Sequence, residues 1–222
     1  MPATESSAAE FRRAREAMVA DQLVARDITS GPVLRAMREV PREVFVAARY
    51  QAVAHDDRPV PIGHGQTISQ PYMVALICEL ADVGPGAKVL DVGSGSGYQA
   101  AVLAAMGARV FGVERVGELV DRAREALAVI GLCDMVDLHE GDGARGLASH
   151  APYDAIVLAA AARQLPGALY EQAAPGARII APLGPRHRQW LQRIVPGPAG
   201  PETTPIVPCR FVPLVASRRF RR

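Results

Sequence analysis

The chain has 222 residues, of which 49% are hydrophobic, 22% charged and 5% aromatic, with a formal net charge of +2 and a mean hydropathy of +0.08. A chain of this length and composition buries a sizeable apolar core, which excludes disordered, collagen-like and coiled-coil classes. Its longest apolar runs, such as Ala155 to Ala162, fall short of the roughly 18 residues that span a bilayer, and the first residues show no apolar stretch behind their charges, so no secretory leader is expected and a cytoplasmic location is.

In chain order, Phe11, Ala14, Met18 and Leu23 recur near helical spacing, which predicts an amphipathic helix from Glu10 to Asp27. A second short helix is expected from Pro32 to Val40, stopped by Pro41. Residues 41–66 read as irregular, with Pro and Gly concentrated around Pro59-Val-Pro-Ile-Gly-His-Gly65, and such a segment runs over a surface or lines a site. Helical character returns from Pro71 to Ala81. Beyond Gly86 short runs rich in Val, Ile and Leu at 88–92, 109–113, 136–139, 154–159 and 178–182 alternate with helical stretches at 98–106, 116–130 and about 164–174. Alternation of this kind predicts an α/β fold, a doubly wound, mostly parallel sheet covered on both faces. Two last strands, Trp190 to Val195 and Cys209 to Val215, are expected to close it in antiparallel fashion across the Pro/Gly-rich loop 196–205. The expected organisation is one domain, 1–222, with a helical substrate-side extension at 10–83 and a cofactor-binding sheet with terminal strands at 84–217.

Cys78, Cys133 and Cys209 form no CxxC pair, and His55, His64, His139, His150 and His187 are dispersed without an HExxH, so neither a disulfide framework nor a metal centre is expected. Lys88 is the only lysine, and arginines cluster at Arg12, Arg13 and Arg15 and in Ser217-Arg-Arg-Phe-Arg-Arg222. Without an overall basic excess or interleaved aromatics, these clusters read as solvated surface rather than a nucleic-acid interface.

The first strand of the sheet runs straight into Asp91-Val-Gly-Ser-Gly-Ser-Gly97-Tyr98, a glycine-rich turn that opens a helix and lets a ligand approach backbone N–H groups. Glycine spacing alone is weak. Tyr98 stands where a dinucleotide fingerprint needs a small residue, and Asp91 would repel a pyrophosphate, so an NAD-dependent dehydrogenase is disfavoured. An acid there suits a cationic ligand such as S-adenosylmethionine. Glu114 ends the second strand, where a carboxylate can accept from both ribose hydroxyls, and Asp142 follows the third, where it can accept from an adenine amine. Taken singly, these acids read equally well as turn, cap or surface residues; together, at three consecutive strand ends, they favour a site. A GxSxG nucleophile elbow is not formed, because Gly95 occupies the serine place.

Pro59-Val-Pro-Ile-Gly-His-Gly-Gln-Thr-Ile-Ser-Gln-Pro71, Val89-Leu-Asp-Val-Gly-Ser-Gly-Ser-Gly-Tyr-Gln99 and Gly141-Asp-Gly143, with Met18-Val-x-x-Gln-Leu, Val40-Pro-Arg-Glu-x-Phe-Val46 and Phe211-Val-Pro-Leu214, closely resemble the bacterial type of protein-L-isoaspartate O-methyltransferase from about residue 15 to 215. The resemblance implies a Rossmann-like class I methyltransferase fold. It also implies methyl transfer from S-adenosyl-L-methionine, leaving S-adenosyl-L-homocysteine, to the free α-carboxylate of L-isoaspartyl residues in damaged proteins and peptides. By the same resemblance Ser69 is the active-site serine, with Gln66, Thr67 and Ile68 forming the adjoining cofactor and substrate wall. Asp91, Gly93, Ser94, Gly95 and Gly97 would face the methionine part, Glu114 the ribose, and Asp142 with Gly143 the adenine. Ser69 also reads as an N-cap for the helix that follows it. Leu158, Ala159 and Val215 depart from the polar residues often found at these places in the family, which leaves the reaction type intact.

Overall fold

The computed structural model describes residues 5–198 and 200–215; the arginine-rich segment from Ser217 onward lies outside them. The first helix, α1, spans Glu5–Ala17 and continues as a π-helical turn, Met18–Leu23, and a 3₁₀ turn, Val24–Arg26. The wider turn has a packing reason: Met18 and Leu23, five residues apart, diverge on an α-helix, and here both are buried together with Val19. Helix α2, Gly31–Glu39, ends where Val40 turns extended before Pro41.

The segment expected to be irregular contains a small antiparallel hairpin, β1 Val60–Gly63 and β2 Gln66–Ile68. Its turn residues His64 and Gly65 both have positive φ, 53° and 70°, which matches the right-handed twist of a hairpin. Helix α3, Pro71–Ala81, follows at once.

The remaining chain builds a seven-stranded sheet from β3 Lys88–Val92, β4 Arg109–Glu114, β5 Val136–Glu140, β6 Tyr153–Leu158, β7 Ala173–Leu183, β8 Gln189–Val195 and β9 Glu202–Cys209. Their order is β5-β4-β3-β6-β7-β8-β9, with β3 to β7 parallel and β8 and β9 antiparallel. Helices α4 Tyr98–Ala105, α5 Gly117–Val129 and α6 Gly167–Glu171 provide crossovers. The pleat divides the core: Val89, Val110, Ala155, Val157 and Ile180 join the apolar cluster shared with the π-helical turn after α1 and with α2 to α5, while Leu90, Val92, Phe111, Ile156 and Ile179 meet Leu169 of α6 on the other face.

The end of the sheet departs from expectation. The last strand is Glu202–Cys209 rather than 209–215, and it contains Pro205 and Pro208, which an edge strand tolerates because its outer N–H groups need no partner. The apolar run Phe211 to Val215 instead crosses above β6, where Ala161 N–H donates to the Val212 carbonyl at 2.8 Å and Leu214 N–H to the Ala161 carbonyl at 2.7 Å. Helix α6 is shorter than expected, and Ala173 and Ala174, read as its end, already belong to β7.

Candidate active site

Chain order reverses between β3 and β6: β4 and β5 lie on one side of β3, and β6 to β9 on the other. Open α/β sheets bind ligands at such a switch point, beyond the carboxyl ends of the strands. Two cavities lie there. A narrow one of about 60 Å³ is walled by Gln66 to Ser69, Gly93 to Ser96, Glu114, Gly143, Ala159 and Val212 to Val215. An open cleft of about 1260 Å³ runs beside it, lined among others by Pro59, Tyr72, Ala144, Arg163 and Arg210. They meet at Thr67, Ser69, Ala159, Val212, Pro213 and Leu214.

The glycine turn is built to leave room. Gly93 and Gly95 have φ of 80° and 52°, the left-handed region that other residues enter at a cost. Gly97 does another job: it lies outside both cavities, and a Cβ on it would meet Ala123 Cβ of α5 at 3.0 Å. Ser94 is buried and its Oγ donates to the Asp91 carbonyl at 3.0 Å.

Asp91 is fully buried, directly behind this turn. Its Oδ1 accepts from Gln99 Nε2 at 2.8 Å, while Oδ2 is buried without a hydrogen-bond partner. Burial pushes its pKa up to about 6, against the opposing hydrogen bond from Gln99 and the nearby Ser94 hydroxyl, with the Glu114 charge adding to the rise. Asp91 itself lies outside both cavity linings, and burying a carboxyl with one oxygen unpaired is costly.

Glu114 sits in the wall of the narrow cavity and is held from two sides. Gly95 N–H donates to its Oε2 at 3.1 Å and Val116 N–H to its Oε1 at 3.0 Å. Each oxygen keeps a further lone pair for a ligand hydroxyl. Asp142 caps a 3₁₀ turn, accepting from Ala144 N–H at 3.0 Å, and lies outside both linings, whereas Gly143 reaches the narrow cavity. A Cβ at Gly143 would crowd Val92 Cγ1 at 2.7 Å and Leu214 Cδ1 at 3.3 Å, so a side chain here would fill the cavity wall.

Ser69 is not a helix cap. The N-cap of α3 is Gln70, with no side-chain capping bond; the Ser69 hydroxyl has no hydrogen-bond partner among the described residues, and Ser69 lines both cavities where they meet. Its backbone is held instead. Arg42, 0% exposed, donates from Nη2 to the Ser69 carbonyl at 2.7 Å and from Nε to the Ala54 carbonyl at 2.6 Å, with its guanidinium 4.8 Å from the Tyr98 ring centroid. Sequence reasoning missed Arg42 and Gln99 as site supports, although both lie within quoted motifs, because nothing in a linear pattern marks an arginine as buried. Dispersion along the chain also failed to predict one cluster: Asp137, His139 and His150 place their donor atoms within 4.8 Å of one another on the β5 side, away from both cavities.

The chain matches the family Protein-L-isoaspartate(D-aspartate) O-methyltransferase over residues 13–219. It is 47% identical over 204 residues to a protein-L-isoaspartate O-methyltransferase of Methanoculleus marisnigri, covering 92% of each chain. Against the Rhodopseudomonas palustris protein-L-isoaspartate O-methyltransferase 1 it is 48% identical over 194 residues, covering 87% of this chain and 78% of that one. Among solved structures, a Plasmodium falciparum protein described as a protein-L-isoaspartate O-methyltransferase, in complex with S-adenosyl-L-homocysteine, superimposes with a TM-score of 0.78 at 27% identity, covering 92% of this chain and 98% of that one. With its switch-point cavity, glycine turn and nearly full-length match, the chain belongs to the protein-L-isoaspartate(D-aspartate) O-methyltransferase family.

Proposed function

We infer that this protein transfers a methyl group from S-adenosyl-L-methionine to the free α-carboxylate of L-isoaspartyl residues in damaged proteins and peptides, the step that begins their repair. Family membership over almost the whole chain supports the activity. The observation that carries the mechanism is the Ser69 hydroxyl, without a protein partner among the described residues, where the narrow switch-point cavity meets a peptide-sized cleft.

The residues present fit the cofactor, because the buried, unpartnered Asp91 Oδ2 beside a glycine turn is the counterpart of a cationic amino-acid end. Asp91, steadied by Gln99, takes that end; Gly93, Ser94 and Gly95 give backbone clearance; Glu114 takes the ribose diol; Gly143, with Asp142 shaping its turn, borders the adenine. Gln66, Thr67 and Ile68 form the opposite wall. The cofactor supplies an electrophilic methyl on a sulfonium, and the chain's part is to position the acceptor.

The acceptor carboxylate, with a reference pKa near about 4, is ionised at neutral pH, so no residue has to remove a proton. Ser69 donates a hydrogen bond to one carboxylate oxygen without neutralising it and so aims the other. Segments 59–69 and 211–215 flank the cleft, and we assign them the peptide, held extended through main-chain contacts. The chain acts as one methyltransferase domain, 1–222, with 10–83 as substrate-side cover and 84–217 as the cofactor sheet; an apolar cluster continuous from Met18 to Leu191 supports this. Its partners are isoaspartyl proteins and peptides rather than nucleic acid or membrane, and its place of work is the cytoplasm, consistent with three cysteines that form no disulfide. No helix among the described residues is long and apolar enough to cross a membrane.

The test gives labelled S-adenosylmethionine and the protein to an isoaspartyl peptide and to its normal aspartyl twin. A base-labile label on the first alone is expected. Labelling of neither, or of both equally, overturns the reading.

A further inference from the structure

The wide cleft carries a one-sided charge. Four arginines, Arg26, Arg163, Arg186 and Arg210, are among its lining residues, and no aspartate or glutamate is. Arg26 is already occupied: it pairs with Asp57 at 2.5 Å and lies 3.6 Å from the Tyr72 ring centroid. The other three are exposed and form no ion pair among the described residues. They come from three separate loops: Arg163 follows β6, Arg186 lies in the β7–β8 turn, and Arg210 follows β9. The chain as a whole is almost neutral, with 25 basic Lys and Arg residues against 23 acidic ones. The cleft therefore concentrates positive charge that the molecule does not carry on average.

An arginine without a partner presents a planar fork of donors that matches a carboxylate. A concave wall lined by one sign of charge also focuses the field and raises the local concentration of an oppositely charged ligand. The reacting group is itself a carboxylate, but one anion at Ser69 does not use three forks on the walls around it. Further anionic groups on the same peptide would.

We propose that Arg163, Arg186 and Arg210 make this cleft selective for isoaspartyl sites whose neighbouring residues are acidic. The proposal rests on the methyl-transfer activity above, and it adds the class of peptide the site takes. Arg26, held by Asp57 and Tyr72, shapes the cleft floor and is not part of the selecting set. Because the three arginines are exposed, each contact is weak and screened by salt, so selectivity comes from their sum and resides in KM.

The experiment measures kcat/KM for three isoaspartyl peptides that differ only in carrying Glu, Gln or Lys on both sides of the isoaspartate, at low and high salt. Expected is the order Glu above Gln above Lys, with about tenfold between the extremes, expressed in KM and compressed by salt. In the triple variant Arg163→Gln, Arg186→Gln, Arg210→Gln the order collapses, and in the triple Arg→Glu variant it reverses. Unchanged affinity for S-adenosylhomocysteine in both variants shows that the fold is kept. Equal kcat/KM for the three peptides, or an acidic preference that survives the triple substitution, overturns the proposal. Failure to methylate any isoaspartyl peptide overturns the activity itself.

Discussion

In the proposed mechanism Asp91 and Ser69 divide the work of the site, one by charge and one by position. Ser69 has no structural bond for its hydroxyl to lose, so Ser69→Ala should keep the fold and the affinity for S-adenosylhomocysteine while lowering kcat about tenfold to a hundredfold, the loss of one positioning hydrogen bond of roughly 1.5–3 kcal/mol to a charged group. Single-turnover methylation reads this directly; parental rates would remove Ser69 from the mechanism. Asp91 gives the site a pH dependence. Its pKa of about 6, raised by burial above an ordinary carboxylate, means that between about pH 4 and 6 the folded state binds more protons than the unfolded one, so this residue's contribution to stability falls as pH rises through that window and levels off above it. The same protonation removes the negative charge a cationic ligand needs. Affinity for S-adenosylhomocysteine should thus be flat above about pH 7 and weaken as pH falls through about 6, while Asp91→Asn shows weak binding with no such slope and melts no lower than the parent at pH 7.5. Titration calorimetry across pH checks both, and a parental slope in the asparagine variant contradicts the assignment.

Elements were legible in the sequence where burial imposes a period, and illegible where it does not. Strands β3 to β6 and helices α3 to α5 stand close to their expected limits, because each is an apolar run or stripe that the core buries and that polar or turn residues bound. Glycine spacing and the acids at strand ends likewise pointed to Glu114 and to Asp91 behind the turn. The hairpin β1–β2 was hidden by its brevity and by Pro61, and β9 by Pro205 and Pro208 on an edge. Arg42 was hidden for another reason: its value lies in two carbonyls, those of Ala54 and Ser69, that are distant in sequence. Burial lowers its pKa to about 10, against the raising effect of Tyr98 and Asp57, which leaves it charged at neutral pH. This one side chain ties the turn after α2 to the loop that presents Ser69. Arg42→Met leaves both carbonyls without a donor and should cost on the order of 2–5 kcal/mol in denaturant unfolding. Arg42→Lys, which keeps the charge and reaches one carbonyl, should recover part of the stability and part of kcat. Full activity in the methionine variant would show that the Ser69 loop holds its place unaided.

At the scale of the whole molecule, the two walls of the narrow cavity are unequally anchored. One wall, Gln66 to Ser69, is fastened by Arg42 at Ser69 and, through the hairpin, by Arg122, whose Nη1 donates to the Ile62 carbonyl at 2.9 Å. The other, Val212 to Val215, has two main-chain bonds to Ala161 and, at its start, the bond from Phe211 N–H to Gln189 Oε1 at 2.7 Å. At about 60 Å³ the space between them is well below the roughly 300–1,000 Å³ of small-molecule sites, so a nucleoside-sized ligand enters only if a wall gives way. Only the first wall has a paired strand behind it, so the second is the one expected to move. Amide exchange should therefore be fast at Val212, Leu214 and Val215 in the free protein and slow at least tenfold with saturating S-adenosylhomocysteine, as the segment closes over the ligand and its bonds to Ala161 persist. Amides of Thr67 and Ile68 should change much less, because the hairpin and Arg42 already hold them. Hydrogen-exchange mass spectrometry on the full chain, with and without the ligand, separates the walls. Equal protection of both segments, or protection confined to 66–69, would assign the moving wall to the hairpin instead.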